Sequence, residues 1–502
     1  MLAAAVLGSS LAFVDGTVVN VALPALQRDL GATVSEIQWV VEAYLLLFSA
    51  LLLVGGALGD RFGRRRVYAG GVVLFAAASV ACALAGSVRQ LVAARALQGV
   101  GAALLVPGSL AIISASFPPE ERGRAIGTWS GFSAITTALG PVLGGWLIEH
   151  RSWRWAFCMN LPLAAAVLAL LFWRVPESRD PEAVEPLDWV GAGLVTAGLG
   201  GVVYALIASS SPGWSQPRVV AALAGGVAAL LAFGGVEARS RSPMLPPALF
   251  RSRNFMGTNL LTLLLYGALG ATFFFLPLDL IQVQGYSATA AGAATLPFVL
   301  ILFLLSRWSG GLLDRFGARL PLVAGPVIAA AGFALLALPG IGGGYWRTVF
   351  PAVVVLGLGM AVSIAPLTAT VMNAVDVRRA GVASGINNAV SRAAGLLAVA
   401  ALSVLVVRVF NAELDRHLDT LDLGPDVVAA LAGERGKLGG AEAPPGAPPA
   451  ARAAIRRAVA EAFVAGFRWM TLVAATLALA SAATAAVMID GARPALGRAT
   501  HS

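Results

Sequence analysis

Charge is scarce in this sequence. Asp, Glu, Lys and Arg make up 12% of the 502 residues, about half the quarter that soluble domains carry, and that excludes an ordinary water-soluble protein. The three histidines, His150, His417 and His501, do not cluster with Cys82 or Cys158, so no metal centre and no enzyme built on one is expected. The two cysteines fall in or beside apolar runs and imply no disulfide framework. No G-x-x-x-x-G-K-[ST] loop occurs, which removes ATP drive within this chain. No Lys or Arg precedes Asp15. The apolar start therefore lacks the basic region of a signal peptide, and residues 1–24 are read as a first membrane span.

What is present is apolar length. Hydrophobic residues make up 58% of the chain, with 57 glycines and a mean hydropathy of +0.81. Runs of about twenty apolar residues cross the hydrocarbon core as helices, and their continuity favours helices over a barrel. Fourteen spans are predicted, near 2–24, 37–58, 67–86, 90–113, 125–148, 155–175, 188–208, 218–236, 255–283, 290–312, 320–340, 347–374, 380–409 and 462–490. With the first helix starting inside, the short inner loops hold fifteen arginines, Arg61 and Arg64 to Arg66 among them, against six in the short outer loops. That imbalance places both termini in the cytoplasm. It also explains the net charge of +9 as orientation charge, with no nucleic-acid partner required.

A repeat sets the organisation. GALGDRFGRRR, Gly56 to Arg66, returns as GGLLDRFGARL, Gly310 to Leu320, with Asp314 lying 314 − 60 = 254 positions after Asp60. Each copy follows an apolar span, so the chain reads as two halves built on one plan, the arrangement of a secondary transporter. The copies join spans two to three and ten to eleven, an offset of eight spans, which is a six-helix half plus two inserted helices. The expected division is 1–175, a six-helix bundle; 188–236, the two inserted helices; and 255–490, a second six-helix bundle. The last half carries a long outer loop, 410–461, with an irregular Pro-Ala-Gly stretch from Gly439 to Ala451. Ile455, Val459 and Phe463 recur at i, i+4, i+8 and predict an amphipathic helix leading into the last span.

At these residues the chain resembles the major facilitator superfamily, in its fourteen-helix drug:proton antiporter branch. Gly56 to Arg66 is similar to that family's signature loop. Leu91, Arg95, Gln98, Gly99, Gly101 and Ala102 match its fourth-helix motif. Gly127, Gly140, Pro141, Gly144 and Gly145 match its fifth-helix antiporter motif, with Thr136 where the pattern has glycine. Asp15, Thr17, Asn20 and Pro24 match the first-helix motif of the drug exporters.

The resemblance implies a major facilitator fold and proton-coupled export of amphipathic or lipophilic, often cationic, compounds by alternating access. The alternative is a dedicated exporter of one metabolite, antibiotic or lipid. The expected energy source is the proton gradient with no cofactor, the expected state a monomer in the cell membrane, and the expected partners small-molecule substrates, protons and the bilayer.

Physical chemistry assigns the residues. A mid-span carboxylate such as Asp15 costs roughly 2.5–3.5 kcal/mol, so it is either proton-loading, able also to attract a cationic substrate, or structurally hydrogen-bonded. Arg95 is as costly and must face a partner, with Gln98 one turn on to share its network. The signature loop, through Gly56, Asp60, Arg61, Gly63 and Arg64 and their counterparts Asp314 and Arg315, is read as a conformational switch. Gly56 is expected to let helix two approach a neighbour closely, and Asp60, more than Asp314, to carry the lock. Gly127, Gly140, Pro141, Gly144 and Gly145 are read as a hinge between halves.

The pocket candidates are Asn20, Trp39, Glu42, Tyr44, Tyr266, Asn387 and Arg392, with Trp129 and Phe273 to Phe275 as further aromatics. Glu42 and Asp279 are either titratable groups or cation contacts, or parts of a wetted outer rim.

Overall fold

In a bilayer the backbone must satisfy its own hydrogen bonds, and the computed structural model does so with helices throughout. It describes residues 1–179, 188–209, 215–240, 243–375, 380–421, 423–444 and 446–490. The side chains of eleven positions between 119 and 138 and of residues 306, 307, 314, 380 and 381 lie outside that description.

The long helices are α1 (Leu2–Leu30), α2 (Val34–Phe62), α3 (Arg64–Leu84), α4 (Val88–Ser116), α5 (Pro119–His150), α6 (Trp155–Arg174) and α7 (Trp189–Ser209). They continue with α8 (Pro217–Arg239), α9 (Arg253–Val283), α10 (Ala288–Ala293 and Leu296–Gly310), α11 (Arg319–Leu336), α12 (Tyr345–Asn373), α13 (Ala380–Leu418) and α14 (Pro449–Met488). Thirteen of these are long and apolar enough to cross a membrane among the described residues. With the 32-residue α5, each span read from the sequence has its helix.

Local signals explain the ends. α1 stops at Gly31, whose φ of 60° is the left-handed cap that glycine adopts without strain. Three residues later α2 begins at a capping box: Thr33 accepts from the Glu36 amide, and Glu36 accepts from the Thr33 amide at 2.9 Å.

The packing follows the repeat. α2 and α3 pack on α4, and α1 on α5; in the second set α11 packs on α12 and α14, and α9 on α13 and α14. The helices thus form two six-helix bundles, as the resemblance implies. α7 and α8 pair with each other, and α7 leans on α2 and α13. α8 is peripheral, with 11% of its most apolar stretch buried, as a helix facing lipid should be.

The two bundles meet along α5 with α10 and α2 with α13. At the end expected to face outward, Glu149 of α5 accepts from the Thr289 amide and hydroxyl of α10. Gln282 donates to Gln27 at 2.7 Å, so the outer ends are joined.

The outer loop departs from expectation. α13 has 39 residues and α14 has 40, about 60 Å at 1.5 Å per residue, twice the ~30 Å hydrocarbon core. Both run past the membrane and convert much of 410–461 into helix, with a further short helix at Pro425–Glu434. The reason is burial. Leu414, Leu431, Leu438, Ile455, Val459 and Phe463 are each 2% exposed or less, so the segment folds as an apolar cap. The predicted amphipathic helix is the first part of α14. Of the stretch expected to be irregular, 441–444 and 446–448 are non-helical and helix resumes at Pro449.

Candidate functional site

The centre of the first bundle holds a fully enclosed polar cluster. Asp15 of α1 is 0% exposed and Arg95 of α4 is 1% exposed. Arg95 Nη1 donates to Asp15 Oδ2 and to Gln98 Oε1 at 2.7 Å. Its Nε donates to the Val40 carbonyl at 3.0 Å. Gln98 Nε2 donates to Asp15 Oδ1 at 2.8 Å and to Ser79 Oγ at 2.9 Å. The spacing of three puts Arg95 and Gln98 one turn apart on the same face of α4, which is why both reach one carboxylate.

Two members escaped the sequence reading. Asn160 of α6 donates to Asp15 Oδ1 at 3.0 Å, and Ser79 of α3 accepts from Gln98 and Asn160. Their one signal was polarity inside apolar runs, and it is weak because small neutral polar residues are common in spans.

Tyr44 belongs to this cluster and not to an open pocket. It is 1% exposed, its hydroxyl donates to the Ala12 carbonyl at 3.0 Å, and its ring lies 4.2 Å from the Arg95 guanidinium carbon. The cluster is thus wrapped in aromatic and apolar surface, where charge interactions are strong and an unpaired charge is costly.

The signature loop is also built, with Glu177 as a partner that the sequence did not point to. Asp60 is bound by Arg64 of its own loop, 2.9 Å away. The Arg65 amide donates to Glu177 Oε1 at 3.0 Å, and the Arg66 side chain lies 3.6 Å from the same carboxylate. Gly63 has φ 107°, and a Cβ there would meet the Glu177 carboxyl. Gly317, its counterpart in the second copy, has φ 73°. Both copies therefore need glycine after Arg-Phe for backbone reasons. Arg61 and Arg315 are exposed, and the Asp314 side chain lies outside the described residues.

The close approach assigned to Gly56 belongs to Gly55. A Cβ on Gly55 would strike the Ala103 carbonyl, whereas one on Gly56 would sit 3.5 Å from Pro107, an ordinary contact. Gly99 does the same work on α4, against the Tyr44 backbone.

On α5, Gly140 faces Thr17 and Val14 of α1, Gly144 faces Val18, and Gly145 faces Ala288 and Thr289 of α10; the Pro141 carbonyl meets Gly292. The motif lies where α5 touches both bundles. Gly127 is on α5 at a position whose surroundings lie outside the described residues.

The pocket candidates separate. Trp39 packs on Tyr204 of α7, ring centres 6.4 Å apart, so it faces an inserted helix and not a central cavity. Glu42 is 0% exposed and bonded to Gln38, and Asp279 is 6% exposed, which removes the wetted-rim reading for both. Asn387 donates to Asn259 at 3.1 Å and Thr262 at 2.8 Å of α9, a packed link within the second bundle. Tyr266 is half-buried against apolar neighbours.

Trp129 donates to Ser9 at 2.9 Å, and Phe274 and Phe275 are core residues. Asn20 keeps a buried Oδ1 with no hydrogen-bond partner. Arg392 stacks 3.7 Å over the Phe48 ring and 5.8 Å from Phe13.

Relatives agree with this architecture. The family model described as Major Facilitator Superfamily matches residues 5–399. The chain is 35% identical to the Multidrug resistance protein Stp of Mycobacterium tuberculosis, over 82% of this chain and 76% of that one. It is 33% identical to the Tetracenomycin C resistance and export protein of Streptomyces glaucescens, over 96% and 90%, and 39% identical to the Puromycin resistance protein pur8 of Streptomyces alboniger, over 81% of each.

Among solved structures, a bacterial homologue of the human lysosomal transporter Spinster superposes with a TM-score of 0.62 at 18% identity, covering 96% of each chain. The inward-open xylose transporter XylE of E. coli gives 0.59 at 16%, covering 98% of this chain and 97% of that one. The fold, the repeated loop and the matched length lead to one conclusion: this multi-pass membrane protein belongs to the Major Facilitator Superfamily.

Proposed function

We propose that this protein is a proton-driven exporter of amphipathic or lipophilic compounds, a transporter and not an enzyme. It works as a monomer in the cell membrane with both termini in the cytoplasm. The moving parts are two bundles, 1–175 and 255–490, with 188–236 as a lipid-facing insert. The observation that carries the reading is the enclosed Asp15 carboxylate, held by Arg95, Gln98 and Asn160 from two other helices.

A buried ion pair of this kind is costly to break from one side, so the proton on Asp15 and the position of Arg95 are coupled. When a proton neutralises Asp15, its attraction for Arg95 falls, and Arg95 is left with the Val40 carbonyl, Gln98 and the Tyr44 ring. These hold a cation without competing for the proton. α1, which carries Asp15, also touches α5 on an adjacent face through Val14, Thr17 and Val18. Proton loading on α1 can thereby bias how α5 sits against α10, which is where the outer seal forms. The proton gradient is the energy source and no cofactor is needed.

The relatives named for multidrug, tetracenomycin C and puromycin resistance support export as the direction. Two of those names specify one compound, which favours as a second reading a dedicated exporter of a single product. Everted vesicles carrying the protein test the main reading. A proton gradient should drive dye accumulation and a protonophore should abolish it; accumulation that survives the protonophore but needs ATP would contradict it.

A further inference from the structure

Arg392 is a cation of the central membrane region that the proton mechanism leaves unused. We propose that it selects substrates bearing an acidic group, so that the compounds exported are amphipathic anions; this rests on the export reading above.

Arg392 projects from α13 of the second bundle into aromatic surface of the first. Its guanidinium carbon is 3.7 Å from the Phe48 ring centre of α2 and 5.8 Å from that of Phe13 of α1. Its Nε is buried without a hydrogen-bond partner. Among the described residues no carboxylate forms an ion pair with it. Asp15 is committed to Arg95, and Glu42 is bonded to Gln38.

The rings give the charge no opposite partner. An uncompensated cation at this depth costs at least about 2.5–3.5 kcal/mol, and stacking on a desolvated ring returns about 2 kcal/mol or more without neutralising it. Joining the bundles needs no charge, since an aliphatic or aromatic side chain would pack on Phe48 and Phe13 without the penalty. A bound carboxylate or similar anion supplies what is missing, with the rings holding its apolar body.

Two further observations agree. α13 presents Ser384, Asn388 and Arg392 at i, i+4, i+8, a polar stripe on one helix face. On the release side, a cavity of about 760 Å³ beside the outer ends of α1 and α9 is lined by Arg28, Lys437, Arg452 and Arg456 against the single acid Glu442. Lys437 is paired with Glu434 at 2.8 Å, and Arg28 and Arg456 add basic charge to the lining. A basic exit attracts anions and disfavours cations.

The test uses three pyrene compounds with one apolar body, pyrenebutyrate, pyrenebutanol and pyrenebutylamine, binding to the full-length protein in neutral-lipid nanodiscs. The acid should bind at least about tenfold tighter than the amine, equivalent to about 1.4 kcal/mol. Arg392→Gln should remove that preference while leaving the alcohol's affinity within about twofold. Arg392→Lys, which keeps the charge, should retain most of it and serves if Arg392→Gln fails to fold.

Equal affinity for acid and amine in the unmodified protein would overturn the proposal, as would an acid preference that survives Arg392→Gln or disappears in monodisperse Arg392→Lys. Acid preference without gradient-driven accumulation in vesicles would sink the export reading and leave this one standing. Accumulation without acid preference would do the reverse.

Discussion

Arg95 on α4 and Asp15 on α1 meet side chain to side chain inside the first bundle, at 1% and 0% exposure. Neither has an alternative charged partner among the described residues, so each sets the energetic state of the other. Removing Arg95 as Arg95→Met should destabilise the protein by about 3–5 kcal/mol, because it strands a buried carboxylate. Adding Asp15→Asn should recover part of that loss. Thermal unfolding of the four proteins in detergent gives the cycle, and additive losses would contradict direct coupling.

Gly55 and Gly56 are adjacent but not equivalent. Gly55→Ala pushes a methyl into the Ala103 carbonyl, while Gly56→Ala meets Pro107 at 3.5 Å. Overpacking costs about 1–3 kcal/mol, so Gly55→Ala should lower the melting temperature and yield clearly and Gly56→Ala should change neither. The reverse order would show that the α2–α4 crossing is misassigned.

Gly63 holds the signature loop in shape, with φ 107° and Glu177 against its Cα. Gly63→Ala should destabilise the loop by about 1–2 kcal/mol, the cost of a left-handed backbone for an L-residue, and raise protease cleavage near Arg64 to Arg66. Glu177→Gln should raise cleavage there to a lesser degree, since it weakens the Arg65 and Arg66 contacts and leaves the backbone unstrained. Unchanged proteolysis in Gly63→Ala would argue against this backbone requirement.

The outer seal pairs Glu149 with Thr289. If the seal opens in each cycle, a Glu149→Cys/Thr289→Cys protein should transport when reduced and stop when the two are cross-linked, recovering with reductant. Transport at full rate by the cross-linked protein would mean that these ends do not separate.

The fourteen spans were legible because membrane thickness sets a length that apolar runs display directly. Asp15, Arg95 and Gln98 were legible for the opposite reason: a charge in an apolar run is expensive enough to announce a partner. Asn160 and Ser79 were not, because a neutral amide or hydroxyl costs little and carries no such signal. Trp39 and Gly56 were misplaced by rotation. Successive residues point 100° apart on a helix, and which direction faces α7 or α4 is decided by packing that no single span records. The outer loop was misjudged in extent, since its apolar positions gain burial only when Leu414, Leu438 and Ile455 come together from separate segments.

Proteoliposomes containing Asp15→Asn test the central claim most directly. Asparagine keeps the size and one acceptor oxygen but cannot carry the proton, so the variant should exchange substrate down a substrate gradient at a rate near that of the unmodified protein, while accumulating none in response to a proton gradient. Accumulation at the unmodified level would remove Asp15 from the coupling mechanism.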